Sequence, residues 1–274
     1  MLTLTVRQAL VQSGLVPIDA QVLLAHALQR DRTWIVGHGT DTLTREQAET
    51  FSALAKRRRD GEPVAYLTGV REFWGLALNV TRDVLIPRPE TETLVEQALV
   101  RLPRENHVRV LDLGTGSGAI ALALASERPQ AHIVASDVSQ AALAVAHSNA
   151  QRLGVTNVEF VESDWYAQLP VAPFAMIVSN PPYVAERDPH LTEGDLRFEP
   201  ELALSSGDGL SSLRAIIGGA PARLTPGGVL LVEHGYDQRD AVRALLCDAG
   251  FADLVAARDL AGQWRVAGGT TRKE

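Results

Sequence analysis

The chain has 274 residues, 46% of them hydrophobic and 22% charged, and a formal net charge of −7. That length suits one large core plus a small extra domain. No apolar run reaches the ~18 residues of a membrane-spanning helix, the stretch Met1–Gln8 lacks the layout of a secretory signal, and the lone cysteine, Cys247, excludes an internal disulfide. An acidic chain is poorly suited to hold nucleic acid chiefly through its phosphates, so neither a membrane nor direct nucleic acid is expected as a partner, and the setting expected is cytoplasmic.

In chain order, residues 1–70 read as three short helices. Apolar residues recur at helical spacing at Val6, Leu10 and Val11, then at Val22, Leu23, Ala27 and Leu28. The third helix starts at Thr44, with Gln47 completing a capping box, and runs to about Arg59. Its end carries Lys56-Arg57-Arg58-Arg59, the one dense basic run, read as cations at a helix C-terminus. Residues 71–87 read as a β-hairpin linker, with strands over Phe73–Val80 and Val84–Ile86 about a turn at Thr81-Arg82-Asp83. Pro89 can open the next helix, which carries Leu94, Val95, Ala98 and Leu99.

Residues 88–274 then alternate strand and helix. Strands are predicted at 108–113, 131–136, 158–162, 174–179, 227–233, 254–257 and 265–267, and helices at 120–126, 140–153, 210–224 and 237–249. Repeated βα units predict a mostly parallel sheet covered on both faces, an α/β fold. Cys247, inside an apolar helical pattern, reads as a small buried hydrophobe.

The first predicted strand of that domain runs into Gly114-Thr115-Gly116-Ser117-Gly118 and then a helix. Glycines there let backbone approach a ligand at the carboxyl edge of the sheet. Gly114, Gly116 and Ala119 also fit the looser dinucleotide pattern, and a tight turn without a ligand is the plainer alternative. Asp112 separates the two ligands, because a carboxylate beside a pyrophosphate is unwelcome and one beside an ammonium or sulfonium is not. S-adenosylmethionine carries both cations and no phosphate. Asp137, ending the second strand, can bond ribose hydroxyls or cap the next helix. Asp164 can take an adenine amino group, and Trp165 can cover the base or serve as a core aromatic.

Asn180-Pro181-Pro182-Tyr183 follows another strand and falls at the same edge. The two prolines stiffen the loop. The Asn180 side-chain oxygen and the Pro181 carbonyl are acceptors that can hold both hydrogens of an NH2 group, and the Tyr183 ring can stack on the plane bearing that nitrogen. An amide or aromatic amine nitrogen is a poor nucleophile with no easily removed proton. Fixed acceptors can polarise it and aim it at a methyl donor, with no metal and no covalent intermediate. The residues alone leave amide and adenine open as acceptors.

The segment Val110–Gly118 resembles the first motif of class I methyltransferases. The resemblance implies a Rossmann-like seven-stranded sheet whose last strand is antiparallel, with Asp137 on the ribose and residues 164–165 near the adenine. Further segments, Pro63–Gly69, Glu72–Gly75, Leu85–Glu92, Arg197–Pro200, Gly207–Leu210, Glu233–Tyr236 and Asp259–Gly262 with Arg265, are similar to the peptide chain release factor glutamine methyltransferases over nearly the whole chain. That resemblance implies transfer of methyl from S-adenosylmethionine to the Gly-Gly-Gln glutamine of release factors 1 and 2, giving N5-methylglutamine. It implies Gly114–Gly118, Asp137, Trp165 and Asn180 for the cofactor, Asn180–Tyr183 for the glutamine, and a substrate-gripping helical domain over residues 1–70. Arg88 and Glu90 can line the acceptor mouth, or form an interdomain ion pair and a helix-start charge. His234 reads as structural. The rivals are an adenine-N6 methyltransferase on RNA or DNA, a dinucleotide-dependent oxidoreductase and a non-catalytic binding protein. Oligomeric state is not legible, a monomer being the default expectation.

Overall fold

The computed structural model describes residues 4–104, 107–169 and 173–272. The chain divides into two compact units, Met1–Val70 with Thr192–Phe198, and Arg71–Leu191 with Glu199–Glu274.

Among its described residues the smaller unit holds five α-helices where the sequence predicted three: α1 (Val6–Gln12), α2 (Pro17–Leu28), α3 (Arg32–Gly37), α4 (Arg45–Arg59) and α5 (Val64–Thr68). Thr5 with Gln8, and Thr44 with Gln47, form capping boxes that satisfy the first free N–H groups of α1 and α4. Asp31 caps α3 by accepting from the Trp34 N–H; six residues are too few to show a helical period. The core here is Val6, Leu23, Leu24, Ile35, Phe51 and Leu54. The basic run at the end of α4 is largely occupied within this unit. Arg57 pairs with Glu62, Arg58 with Asp19 and Asp195, and Arg59 donates to the Ser13 carbonyl.

A hairpin of β1 (Val70–Phe73) and β2 (Leu76–Asn79) comes next in the chain, all but Val70 in the larger unit. Its turn is Trp74-Gly75, both at positive φ (53° and 70°), the backbone of a type I′ turn. The hairpin therefore lies earlier than the sequence suggested. Thr81–Asp83 is indeed a turn, with the Val84 N–H donating to the Thr81 carbonyl, but Val84–Ile86 forms no strand after it.

A 3₁₀ turn (Pro89–Thr91) leads into α6 (Glu92–Arg101). Then follow β3 (Arg109–Leu113), α7 (Ala119–Glu127), β4 (His132–Asp137), α8 (Gln140–Leu153), β5 (Val158–Glu162), β6 (Phe174–Ser179), α9 (Glu201–Leu204), α10 (Ser211–Gly219), β7 (Leu224–Glu233), α11 (Arg239–Asp248), β8 (Ala252–Arg258) and β9 (Trp264–Thr270). Seven strands form one sheet in the order β5-β4-β3-β6-β7-β9-β8. β3 to β7 are parallel, and β9 runs antiparallel to both neighbours. This is the Rossmann-like arrangement of class I methyltransferases.

Alternation along each buried strand splits the core in two. Val110, Ile133, Met176 and Val178 face α6, α7 and α8, while Leu111, Leu113, Val134 and Ile177 face α10 and α11. Cys247 is exposed rather than buried. α11 buries Val242 and Leu246, and the next residue is turned about 100° off that face. Strand order reverses between β3 and β6, and in such sheets the crevice beyond the carboxyl ends at that point takes the ligand.

Candidate functional site

Register brings the site together. Leu113 stands beside Ser136 on one side and Ser179 on the other, and Ser179 beside Val232. The next residue along each strand is Gly114, Asp137, Asn180 and Glu233, so these four share one edge of the sheet.

Against that edge lies a cavity of about 430 Å³, in the usual range for a small-molecule site. Its wall includes Gly114, Thr115, Gly116, Ser117, Asp137, Trp165, Asn180 and Pro182. Gly118, Pro181 and Tyr183 are not on that wall. Gly118 sits at φ 85°, where a Cβ would lie 3.1 Å from Leu122 Cδ1 and 3.2 Å from the Ala146 Cβ; its task is to let the loop turn into α7.

Asp137 organises the glycine loop. Its Oδ2 accepts from the Gly116 N–H at 2.9 Å and its Oδ1 from the Ser139 N–H at 2.9 Å. Ser139 caps α8 by accepting from the Ala142 N–H, which leaves Asp137 on the wall. Burial raises the Asp137 pKa, opposed by those backbone bonds. Trp165, at φ 46°, packs on the α10–α11 side of the core and also lines the cavity. Asp164 is exposed and also on the wall.

Asp112 differs from expectation. It is fully buried and not on the cavity wall, its Oδ2 accepts from the Thr115 hydroxyl at 2.7 Å, and among the described residues Oδ1 has no partner. Burial pushes its pKa up to about 7. The discrimination between ligands passes instead to the wall itself. Among the described residues it carries Asp83, Asp137 and Asp164 and no lysine or arginine. A wall of that sign suits a cationic, phosphate-free ligand such as S-adenosylmethionine and disfavours a dinucleotide.

In the proline loop, Asn180 Nδ2 donates to Thr91 Oγ1 at 3.1 Å, which frees the Asn180 Oδ1 to accept from a ligand. Pro181 is buried. Tyr183 is half-buried, and its hydroxyl donates to Glu233 Oε1 at 3.3 Å; burial holds its pKa above the usual phenol range. Arg88 Nη2 pairs with Glu199 Oε1 at 2.5 Å, and Glu199 Oε2 accepts from the Ile86 N–H. That pair lies within the larger unit, not between domains. His234 is buried, its Nδ1 donates to the Gly235 carbonyl at 2.7 Å, and burial lowers its pKa.

Three residues without a role in the sequence reading contribute here. Asn149 of α8 donates to the Ser117 carbonyl at 3.0 Å and bonds both backbone groups of Asn79, tying the glycine loop to the hairpin. Thr91 and Glu233 stand behind the proline loop. Asn149 has no motif to announce it, whereas the sheet register could have placed Glu233. Among the described residues no group of His, Cys, Asp or Glu is arranged to hold a metal ion, and no helix is long and apolar enough to cross a membrane.

Comparison with known proteins decides the family. The chain is 55% identical over 250 residues to the release factor glutamine methyltransferase of Xylella fastidiosa strain 9a5c, covering 91% of each chain. It is 53% identical over 249 residues to that of Escherichia coli K12, covering 90% of each. The chain belongs to the release factor glutamine methyltransferase family. Family models place a PrmC N-terminal domain at residues 5–69 and a methyltransferase small domain at residues 91–194. The crystal structure of a ribosomal protein L11 methylase from Lactobacillus delbrueckii subsp. bulgaricus superposes with a TM-score of 0.52 at 20% identity, over 71% of this chain and 84% of that one, a likeness of fold. A methyltransferase of this family implies S-adenosylmethionine as the methyl source.

Proposed function

We propose that this enzyme transfers a methyl group from S-adenosylmethionine to the side-chain amide nitrogen of the glutamine in the Gly-Gly-Gln loop of peptide chain release factors 1 and 2, in the cytoplasm, giving N5-methylglutamine. Identity above 50% to release factor glutamine methyltransferases supports the substrate. The observation that carries the chemistry is the Asn180 amide, whose Nδ2 is committed to Thr91 at 3.1 Å while its Oδ1 stays available at the cavity edge.

Gly114, Thr115, Gly116, Ser117 and Gly118, with Asp137, Trp165 and Asn180, would hold the cofactor. Bound there, S-adenosylmethionine supplies a methyl group made electrophilic by its sulfonium. The Asn180 Oδ1 and the Pro181 carbonyl accept the two amide hydrogens of the substrate glutamine, which fixes the direction of its nitrogen. Positioning of this kind contributes much of the rate, because the amide lone pair is delocalised and only close alignment lets it attack. The same acceptors stabilise positive charge as it grows on nitrogen, and the surplus proton then leaves to water. His234, buried and bonded to the Gly235 carbonyl, is not needed as a base. Pro182 and the Tyr183 ring confine the planar amide. The helical unit grips the protein substrate away from the loop.

Methylation with labelled S-adenosylmethionine should mark wild-type release factor 1 and not a variant whose Gly-Gly-Gln glutamine is replaced by alanine. Undiminished labelling of that variant would refute the substrate.

A further inference from the structure

Asn149 on α8 is 0% exposed and holds three backbone groups with one amide. Its Nδ2 donates to the Ser117 carbonyl and to the Asn79 carbonyl, both at 3.0 Å, and its Oδ1 accepts from the Asn79 N–H at 2.7 Å. Two carbonyls need two donors and one N–H needs one acceptor, which is the inventory of a primary amide. An aspartate in its place would set a carboxylate against both carbonyls. A leucine, of similar size, would leave all three groups without the partner they have.

Both segments that Asn149 joins lead into the cavity wall. Ser117 is on the wall itself. The peptide unit that offers its carbonyl to Asn149 is held at its other edge too, where the Gly118 N–H donates to the Thr115 carbonyl at 2.9 Å. From Asn79 the chain runs on to Asp83, Val84, Leu85 and Pro87, all four on the same wall. That stretch is fastened at its far end, where the Pro87 carbonyl accepts from Arg71 Nε at 3.2 Å and the Ile86 N–H donates to Glu199 Oε2 at 3.0 Å. Its near end is fastened by α8, through Asn149 at Asn79 and through Arg152, which donates to the Ala77 carbonyl. Of these ties, the Asn149 amide is the one that also takes hold of the glycine loop.

We infer that Asn149 is a positioning residue for the cofactor, which holds the glycine loop and the 80–87 segment in fixed relation so that both parts of the wall stand ready before S-adenosylmethionine arrives. This rests on the reading of the cavity as the cofactor site. Asn149 is not on the wall, so it acts through Ser117 and Asn79. A site already in place binds without the ordering cost that a loosened loop adds, and the effect therefore falls on cofactor affinity. S-adenosylmethionine and its product S-adenosylhomocysteine share everything but the methyl sulfonium, so both depend on Asn149 alike. The Asn180–Tyr183 loop takes no part in these bonds, which leaves turnover at saturating cofactor untouched.

The test is calorimetry of S-adenosylmethionine and S-adenosylhomocysteine binding to wild type, N149L, N149D and L246A, with melting temperatures and steady-state methylation of release factor 1. N149L and N149D should raise Kd for both ligands at least about tenfold, the scale on which a buried acceptor left without a partner is felt. KM for S-adenosylmethionine should rise with it, and kcat at saturating cofactor should stay within about threefold of wild type. L246A opens a gap at a side chain buried on α11 and off the cavity wall. It should melt lower yet keep Kd within about threefold, which a general loosening of the fold would not allow. Wild-type affinity in N149D would overturn the positioning role alone. So would a fall in kcat with Kd unchanged, or an L246A as weakened in binding as N149L. No binding of S-adenosylmethionine by wild type would overturn the cofactor reading of the cavity itself. Should N149L fail to fold, N149D decides, since it keeps the shape of the side chain and the bond from the Asn79 N–H.

Discussion

Asp112 is a carboxyl enclosed by protein on every side, with one oxygen on the Thr115 hydroxyl. Its pKa rises from 3.8 to about 7 chiefly through burial, with the Asp137 charge adding to it. Between those values the folded protein keeps a proton that the unfolded chain releases. Stability therefore falls as pH rises through that window and levels off above it. D112N, neutral throughout, should melt higher than wild type at pH 8 and lose that advantage near pH 5. At about 2–4 °C per kcal/mol for a chain of this size, the gain is on the order of several degrees by calorimetry of the ligand-free protein. Part of the slope will remain, because Glu233 is shifted the same way. A D112N advantage as large at pH 5 as at pH 8 would mean packing, not charge, makes the difference. The sequence suggested Asp112 beside a cationic ligand, whereas the fold encloses it away from the cavity wall. Whether a strand carboxyl meets a cavity or a closed core depends on which face of the pleat it takes and what covers it. Thr91 and Glu233 were harder still, since their importance lies in bonds to Asn180 and Tyr183 from distant parts of the chain.

At the scale of elements, β3, β4 and β6 were readable because they are short, apolar and largely buried, and α8 because its cap and glycine stop both stand in the sequence. The hairpin was not. Its turn uses Trp74 at φ 53°, a conformation that bulky side chains rarely adopt, while Thr81-Arg82-Asp83 offered an ordinary turn signal nearby. The glycine loop was legible as a cradle, but the reason for its last glycine was not. Gly118 combines positive φ with side chains at 3.1 and 3.2 Å from any added Cβ. Left-handed backbone alone costs an alanine about 1–2 kcal/mol, and the overlap with Leu122 and Ala146 adds to it. G118A should melt at least about 3 °C lower and bind S-adenosylmethionine more weakly, because the loop it ends carries Gly114 and Gly116. Unchanged melting and affinity would show that the loop tolerates a side chain where α7 begins.

For the whole molecule, the helical unit is not one stretch of chain. The chain crosses between units after Val70, after Leu191 and after Phe198, and the short return segment has no sequence signal, because its partners are remote. Asp195 pairs with Arg58, and Arg197 donates to the Asp60 carbonyl. Removing residues 1–70 therefore takes away a domain and also strands residues 192–198, a few positions from Glu199, which anchors Arg88. A loss of activity after such a deletion has two explanations, and cofactor binding separates them. The glycine loop, Asp137, Trp165 and Asn180 all belong to the other unit, so a truncated chain that still folds should bind S-adenosylmethionine within about threefold of the full protein. If the helical unit grips the release factor away from its Gly-Gly-Gln loop, that same chain should lose kcat/KM on whole release factor 1 by about a hundredfold or more, roughly 3 kcal/mol of binding at 1.4 kcal/mol per decade. On a short Gly-Gly-Gln peptide, which offers no remote surface, truncated and full-length enzyme should be equally slow. Full activity of the truncated chain on whole release factor would remove the helical unit from substrate recognition. A deficit on the peptide equal to that on the protein would place the damage at the acceptor loop through residues 192–198.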